Sequence, residues 1–166
     1  MCLSRRWILG MLALSMAAGS CFGEDPGPAK FYKLELVVKE IGGGKVLNSR
    51  TYTTVASTSS KSEIRAGSKI PYSDTNTSFQ MIDVGVNIDV WAVKEVGDRL
   101  SFSIAAEISS VAEGVTDKMR PTIRQNRWTS TLVVPLKKPT LLFSSDNVDA
   151  KTQMQIELTA TPLPLT

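Results

Sequence analysis

Residues 79–90, FQMIDVGVNIDV, alternate strictly: Ile82, Val84, Val86, Ile88 and Val90 fall on one face, and Met81, Asp83, Gly85, Asn87 and Asp89 on the other. Period-2 alternation is the signature of a strand with one buried and one wet face. The same period runs through FYKLELVVKEI (31–41), which puts Tyr32, Leu34, Leu36 and Val38 together. A GGGK turn and the run VLNSRTYTTVAS (46–57) complete a hairpin with it. The clearest strand is LSFSIAAEIS (100–109), where Leu100, Phe102, Ile104, Ala106 and Ile108 alternate with Ser101, Ser103, Ala105, Glu107 and Ser109.

Turn residues divide the rest. The Ser/Thr/Lys run 57–62 reads as a loop, and SEIRAGSKIPY (62–72) as a short strand ending at Gly67 and Pro71, because glycine weakens a strand and proline removes a ladder donor. The 79–90 strand extends to about Val93, before a tight turn in KEVGDR. A loop from Val111 to Pro121 leads into TIRQNRWTSTLVVP (122–135). TLLFS (140–144), the turn SDNVDAK and a last strand MQIELTATP (154–162) follow. No stretch carries helical periodicity of useful length. About eight mostly antiparallel strands predict an all-β domain, either a sandwich or a barrel-forming sheet.

Gly85 is out of place in this pattern. Glycine weakens strands and acids avoid them, yet Gly85 sits between Asp83 and Asp89 in a strongly alternating run. It marks either a kink in a surface strand or a place where another chain comes close.

The ends of the chain change the charge and redox picture. MCLSRRWILGMLALSMAAGSCFG (1–23) has a basic start at Arg5 and Arg6, an apolar run from Trp7 to Ala18, then small residues, which predicts a secretory leader and an exported protein. SRRWIL also resembles a twin-arginine signal, so the export route stays open. Cleavage near Gly23 would release a soluble protein, and cleavage before Cys21 would leave a lipidated cysteine. Ala18 stands where lipoprotein signals carry Leu or Val, so no lipid is expected on Cys21. EDPGPAK (24–30) reads as a linker and 31–166 as a single domain. Removing the leader lowers Lys+Arg from 19 to 17 against 16 acids, so the net charge falls from +3 to +1. No nucleic-acid footprint survives that subtraction. Cys2 and Cys21 both lie in the leader, so the mature domain holds together without a disulfide.

The inventory of reactive groups is poor. The chain has no histidine, which removes Ser-His-Asp and Cys-His catalysis and the common zinc ligand sets. Asp83 and Asp89 share a face but lie about 20 Å apart along a strand, too far to share one cation. GGGK lacks phosphate-loop spacing. Ser59, Ser60 and Lys61 read as a wet loop rather than a serine-lysine dyad. Arg120, Arg124 and Arg127 near Trp128 could meet anionic lipid or a partner, but strand alternation exposing basic residues is the favoured reading. An enzyme, a cofactor, a metal and a small-molecule substrate are therefore not expected.

The order of phrases resembles the β-domain of bacterial secretins, the outer-membrane gates of type II and type III secretion and of type IV pilus systems. The chain reads KVLNSR (45–50), EIRAGSKIPY (63–72), MIDVGVNIDV (81–90), SFSIAAEISS (101–110), RPTIRQNRWTSTLVV (120–134) and IELTATP (156–162), collinear with that family's pattern. IDVGVNIDV is the most specific phrase. Two departures stand out: LKKPTLLFSSDNVDAKTQMQ replaces the family's G-G-L and its long Pro/Gly-rich insertion, and DVWAV replaces V-T-P. The resemblance implies a secretin-like fold and a role in protein secretion at the periplasm or outer membrane, with another copy of the chain or a secretion-system component as partner. It marks Gly67, Pro71, Asp83, Val84, Gly85, Glu107, Ser109, Pro121, Arg127 and Thr131 as signature positions and candidate subunit contacts. It implies that Asp83 and Asp89 face water, and that Gly85 lets the strand bend against a neighbouring subunit. On that reading Gly85→Val is tolerated by the isolated fold but blocks assembly. The rival expectation is a soluble periplasmic β-sandwich that binds a partner and forms no pore.

Overall fold

The computed structural model describes residues 28–75, 78–112, 121–147 and 151–164. The leader 1–23, most of the linker, most of the loop expected between Val111 and Pro121, and part of the 145–151 turn lie outside the described residues. Eight strands follow in chain order: β1 (Phe31–Gly42), β2 (Lys45–Ser57), β3 (Ser62–Thr75), β4 (Ser78–Val96), β5 (Arg99–Val111), β6 (Ile123–Pro135), β7 (Thr140–Asp146) and β8 (Thr152–Leu163). They form two four-stranded sheets, in the orders β2-β1-β8-β7 and β3-β4-β5-β6, with every neighbouring pair antiparallel. The expected all-β architecture is present, as a sandwich.

The alternation sets what lies between the sheets. Tyr32, Leu34 and Leu36 of β1 and Ile156, Leu158 and Ala160 of β8 are buried from the first sheet. Ile88 and Val90 of β4 and Leu100, Phe102, Ile104, Ala106 and Ile108 of β5 are buried from the second. The central strands β1, β8, β4 and β5 thus carry most of the core, as expected where a strand has neighbours on both sides. One feature of β4 departs from strict period 2. Val90 and Val93 are both buried, because the β4–β5 register shifts between Trp91 and Lys94, with Ala92 at φ 52°. A bulge of this kind adds one residue to a strand and re-aims those beyond it.

The chain changes sheet twice, between β2 and β3 and between β6 and β7, and both crossings lie at one end of the sandwich. There Thr58 N–H donates to Lys30 O at 3.1 Å, Leu136 N–H to Asp98 O at 3.1 Å and Lys137 N–H to Ala160 O at 2.7 Å. At the same end the Tyr32 hydroxyl donates to Glu95 at 3.0 Å, and Lys30 forms an ion pair with that carboxylate. Burial and then Glu95 push the Tyr32 phenol up to about 12.

The expected end of a strand at Gly67 and Pro71 is corrected. The β3 ladder runs unbroken through both, with Gly67 opposite Gly85 and Pro71 opposite Met81. Strand β3 is an edge, where alternate N–H groups point away from the sheet, and proline is tolerated there as it is not in a central strand.

Candidate assembly interface

Strand β5 pairs with β4 only from Val86 to Val96. The β3–β4 ladder continues beyond that limit, so Gly67–Thr75 and Ser78–Gly85 form a two-stranded arm that β5 does not pair with. At the root of the arm the two glycines face each other. A Cβ on Gly85 would overlap the Ala66 carbonyl oxygen and the Gly67 Cα, and a Cβ on Gly67 would overlap the Val84 carbonyl. Gly85 also holds φ at 148°, a conformation that L side chains rarely adopt. Its N–H donates to Ser109 Oγ at 3.1 Å, which ties the root of the arm to the last turns of β5.

Four of the residues marked by the sequence therefore meet at one place: Gly67, Val84, Gly85 and Ser109. The close approach is real, but it occurs within one chain. The expectation that Gly85→Val spares the isolated fold is thereby corrected: the clash and the backbone conformation both act on the single molecule. On the arm, Pro71 is exposed, and Asp83 is three-quarters exposed and pairs with Lys69 at 3.2 Å. Glu107 lies opposite Arg127 on the outer face and accepts hydrogen bonds from its guanidinium, one of them at 2.9 Å. That pairing holds the Glu107 carboxyl below its usual range despite the opposing effect of desolvation. Thr131 Oγ1 and Ser103 Oγ share a hydrogen bond of 2.9 Å further along the same face. Pro121 stands just before β6, apart from the others.

Two features were not legible in the motifs. The first is a charge network on the outer face of the second sheet. Lys61 reaches Glu63 at 2.7 Å and Asp89 at 3.4 Å, and Arg65 reaches Asp89 at 2.5 Å and the Ile88 carbonyl at 3.2 Å. Burial alone would raise the Asp89 carboxyl, but the hydrogen bonds from Arg65 and Lys61 outweigh it and hold it low. Equal spacing about the hairpin turn would not have found it, because Asp89 stands opposite Glu63 and meets Lys61 and Arg65 only on the diagonals. The second is the T-shaped contact of Trp128 with Phe143, centroids 5.3 Å apart, which joins strands of different sheets. Local spacing cannot find such a pair. Of the basic residues near Trp128, Arg127 is exposed and ion-paired, whereas Arg124 shares the inward parity of Trp128 and its Nε is buried without a hydrogen-bond partner among the described residues. Alternation thus exposes only one of them, and Arg120 lies outside the described residues.

The edges of the sandwich are its other free chemistry. Strands β2 and β7 bound the first sheet, β3 and β6 the second. Strands β2 and β3 lie on one side, where Ser62 Oγ donates to the Val55 carbonyl at 2.8 Å, and β6 and β7 lie on the other, joined by Trp128 and Phe143. Each sheet has four alternating strands, so its two edges run antiparallel to each other. One side of a molecule can therefore meet the opposite side of a second copy with both sheets in antiparallel register.

No family model matches the chain, and no curated protein matches it. Solved structures do. The Salmonella SPI-1 type III secretion injectisome secretin InvG is 10% identical over 83% of this chain, with a TM-score of 0.51. The type II secretin XcpQ from Pseudomonas aeruginosa is 12% identical over 81%, with a TM-score of 0.50. This chain spans 65% of the InvG chain and 57% of the XcpQ chain. The chain has the fold of a secretin β-domain.

Proposed function

We propose that this is an exported, secretin-like envelope protein, with a leader at 1–23, a linker at 24–30 and a β-domain at 31–166, that assembles side by side with copies of itself or docks on a type II or type III secretion or pilus-type outer-membrane complex. The observation that carries the reading is the pairing of free edges: β2 with β3 on one side, β6 with β7 on the other, each antiparallel to its counterpart. Unpaired edges of this length are templates for another strand. Edge-to-edge contact of unlike sides is heterologous, so it closes into a ring or runs on as a filament. The fold shared with InvG and XcpQ, both secretins, supports this reading. No catalytic role, cofactor, nucleic acid or small-molecule substrate belongs to it.

A second reading, a soluble periplasmic β-sandwich that binds a partner and forms no pore, is favoured by Lys69 and Pro71. They sit on the β3 edge, and lysine and proline are residues that guard edges against association. Size measurement separates the two. Chemical crosslinking and chromatography of envelope extracts, with and without detergent, are expected to show a large stable oligomer. A protein that is monomeric in both conditions would leave the binding module in its place.

A further inference from the structure

Alternation along β4 predicts Glu95 on the outer face. Val86, Ile88 and Val90 are buried, so an unbroken period 2 would send Glu95 outward with Asp89. The bulge at Ala92 reverses this. Beyond it Val93 is buried, and Glu95 lies opposite the fully buried Leu100, so both belong to the inward face. The bulge holds Ala92 at φ 52°, a left-handed conformation that alanine adopts only at a cost. Strain of this kind persists where surrounding contacts hold it, and bulges re-aim side chains. Here the re-aimed side chain is a carboxylate turned toward the opposite sheet.

Glu95 reaches the first sheet at the point where the chain enters it. It accepts a hydrogen bond from the Tyr32 hydroxyl at 3.0 Å and pairs with the ammonium of Lys30, the residue before β1. Lys30 first, and then Tyr32, hold the Glu95 carboxyl below its usual range. The Lys30 backbone is held as well: its N–H donates to Thr58 Oγ1 at 3.1 Å, and its carbonyl accepts from Thr58 N–H at 3.1 Å. An exposed ion pair by itself contributes little. Attached by side chain, N–H and carbonyl to two separate elements, Lys30 has its direction set as well as its position. Just upstream stand Pro26 and Pro28, and proline-rich segments are semi-rigid.

We infer that Glu95, aimed inward by the Ala92 bulge, and Thr58 form a clamp on Lys30 that fixes the angle at which the preceding chain enters the domain. The sandwich end that carries both sheet crossings then faces whatever holds that chain. The β3–β4 arm points away from it, since β3 leaves the clamped end at Ser62 and runs to Thr75 at the other. The clamp acts within one molecule, so the inference stands apart from self-assembly.

Distances between two spin labels test it, in the full-length chain with Cys2 and Cys21 replaced by serine. One label is placed at Asp25→Cys, upstream of the clamp, and the other at Ser144→Cys, exposed on β7. A single narrow distance distribution is expected, with clear broadening when Glu95→Ala and Thr58→Val are combined and the melting temperature little changed. Because truncating Glu95 leaves the Tyr32 hydroxyl without its acceptor and could unsettle the fold, Glu95→Gln is measured beside it and should broaden the distribution in part. If the double variant unfolds, Glu95→Gln and Thr58→Val decide singly. Glu35→Ala, which breaks the neighbouring Lys33–Glu35 pair, should change nothing. A broad distribution with the clamp intact would overturn the inference. So would a narrow one that persists in the folded double variant, since the prolines alone would then set the angle. Broadening by Glu35→Ala as large as that by Glu95→Gln would reduce the contacts to general support of β1, and would overturn it as well.

Discussion

Gly85 and Ala92 sit in the same strand and both hold positive φ, but only one is a glycine. Gly85 faces Gly67 so closely that any side chain meets the Ala66 carbonyl, and its φ of 148° adds strain of its own. Gly85→Ala is expected to cost about 1–3 kcal/mol, from clash and strained backbone together. Ala92→Gly relieves left-handed strain while adding backbone entropy to the unfolded chain, so it should be close to neutral. Denaturant midpoints of the two variants check the contrast, and equal losses would contradict it. Charges at single residues set the acid limb of stability. The carboxyls of Asp89 and Glu107 are held low in the folded chain, so the stability they contribute is complete above the ordinary carboxylate range near pH 4 and is lost as pH falls through their depressed values. Arg127→Gln should therefore lower the melting temperature slightly at about pH 7, by the small amount an exposed pair contributes. The difference from wild type should close as pH falls below about 4, which flattens the acid decline. A steeper acid decline in that variant would reverse the sign.

Among the strands, β5 is one of the two central elements of its sheet, buried on its inward face from Leu100 to Ile108. Phe102 is fully buried, and Phe102→Ala is expected to cost about 3–5 kcal/mol through lost burial and an unfilled cavity. A denaturation midpoint unchanged in that variant would contradict its place in the core. The arm of β3 and β4 is the opposite case. From Ala66 to Lys69 the β3 edge is exposed, and beyond Gly85 no third strand supports β4. Elements with few buried contacts open at low cost. Limited trypsin digestion should cut first after Arg65 or Lys69, leaving the body of the sandwich intact. First cuts in β1 or β5 would show that the arm is not the weakest element.

For the whole molecule, the two broad outer faces decide where it can stand. The first sheet places Lys39 against Glu157 at 2.6 Å in the middle of its face, with Lys33 and Glu35 beside them. The second carries the Lys61, Glu63, Arg65 and Asp89 network and the Glu107–Arg127 pair. Barrels that cross a membrane show lipid an apolar outer band, and charges there are destabilising. Neither described face has such a band, so the β-domain should stay at the bottom of a flotation gradient with phospholipid vesicles. Flotation would show that other surfaces, or the assembly itself, bind lipid.

The strands, their inward faces and the all-β class were readable from the sequence alone, because alternation is local: each residue's face follows from its neighbours two positions away. Tyr32, Leu34 and Leu36, and the whole Leu100 to Ile108 series, lie where that pattern puts them. Gly85 was also visible as a position that needed an explanation. What the tertiary structure decided was its partner. Gly67 looked like a strand end, since nothing within a few residues shows that its strand continues, and only the hairpin register sets it opposite Gly85. The pairing of sheet edges and the contact between Trp128 and Phe143 have the same origin. They join residues distant in the chain and depend on which strands become neighbours, and that is fixed by burying all the inward faces at once, not by any one segment.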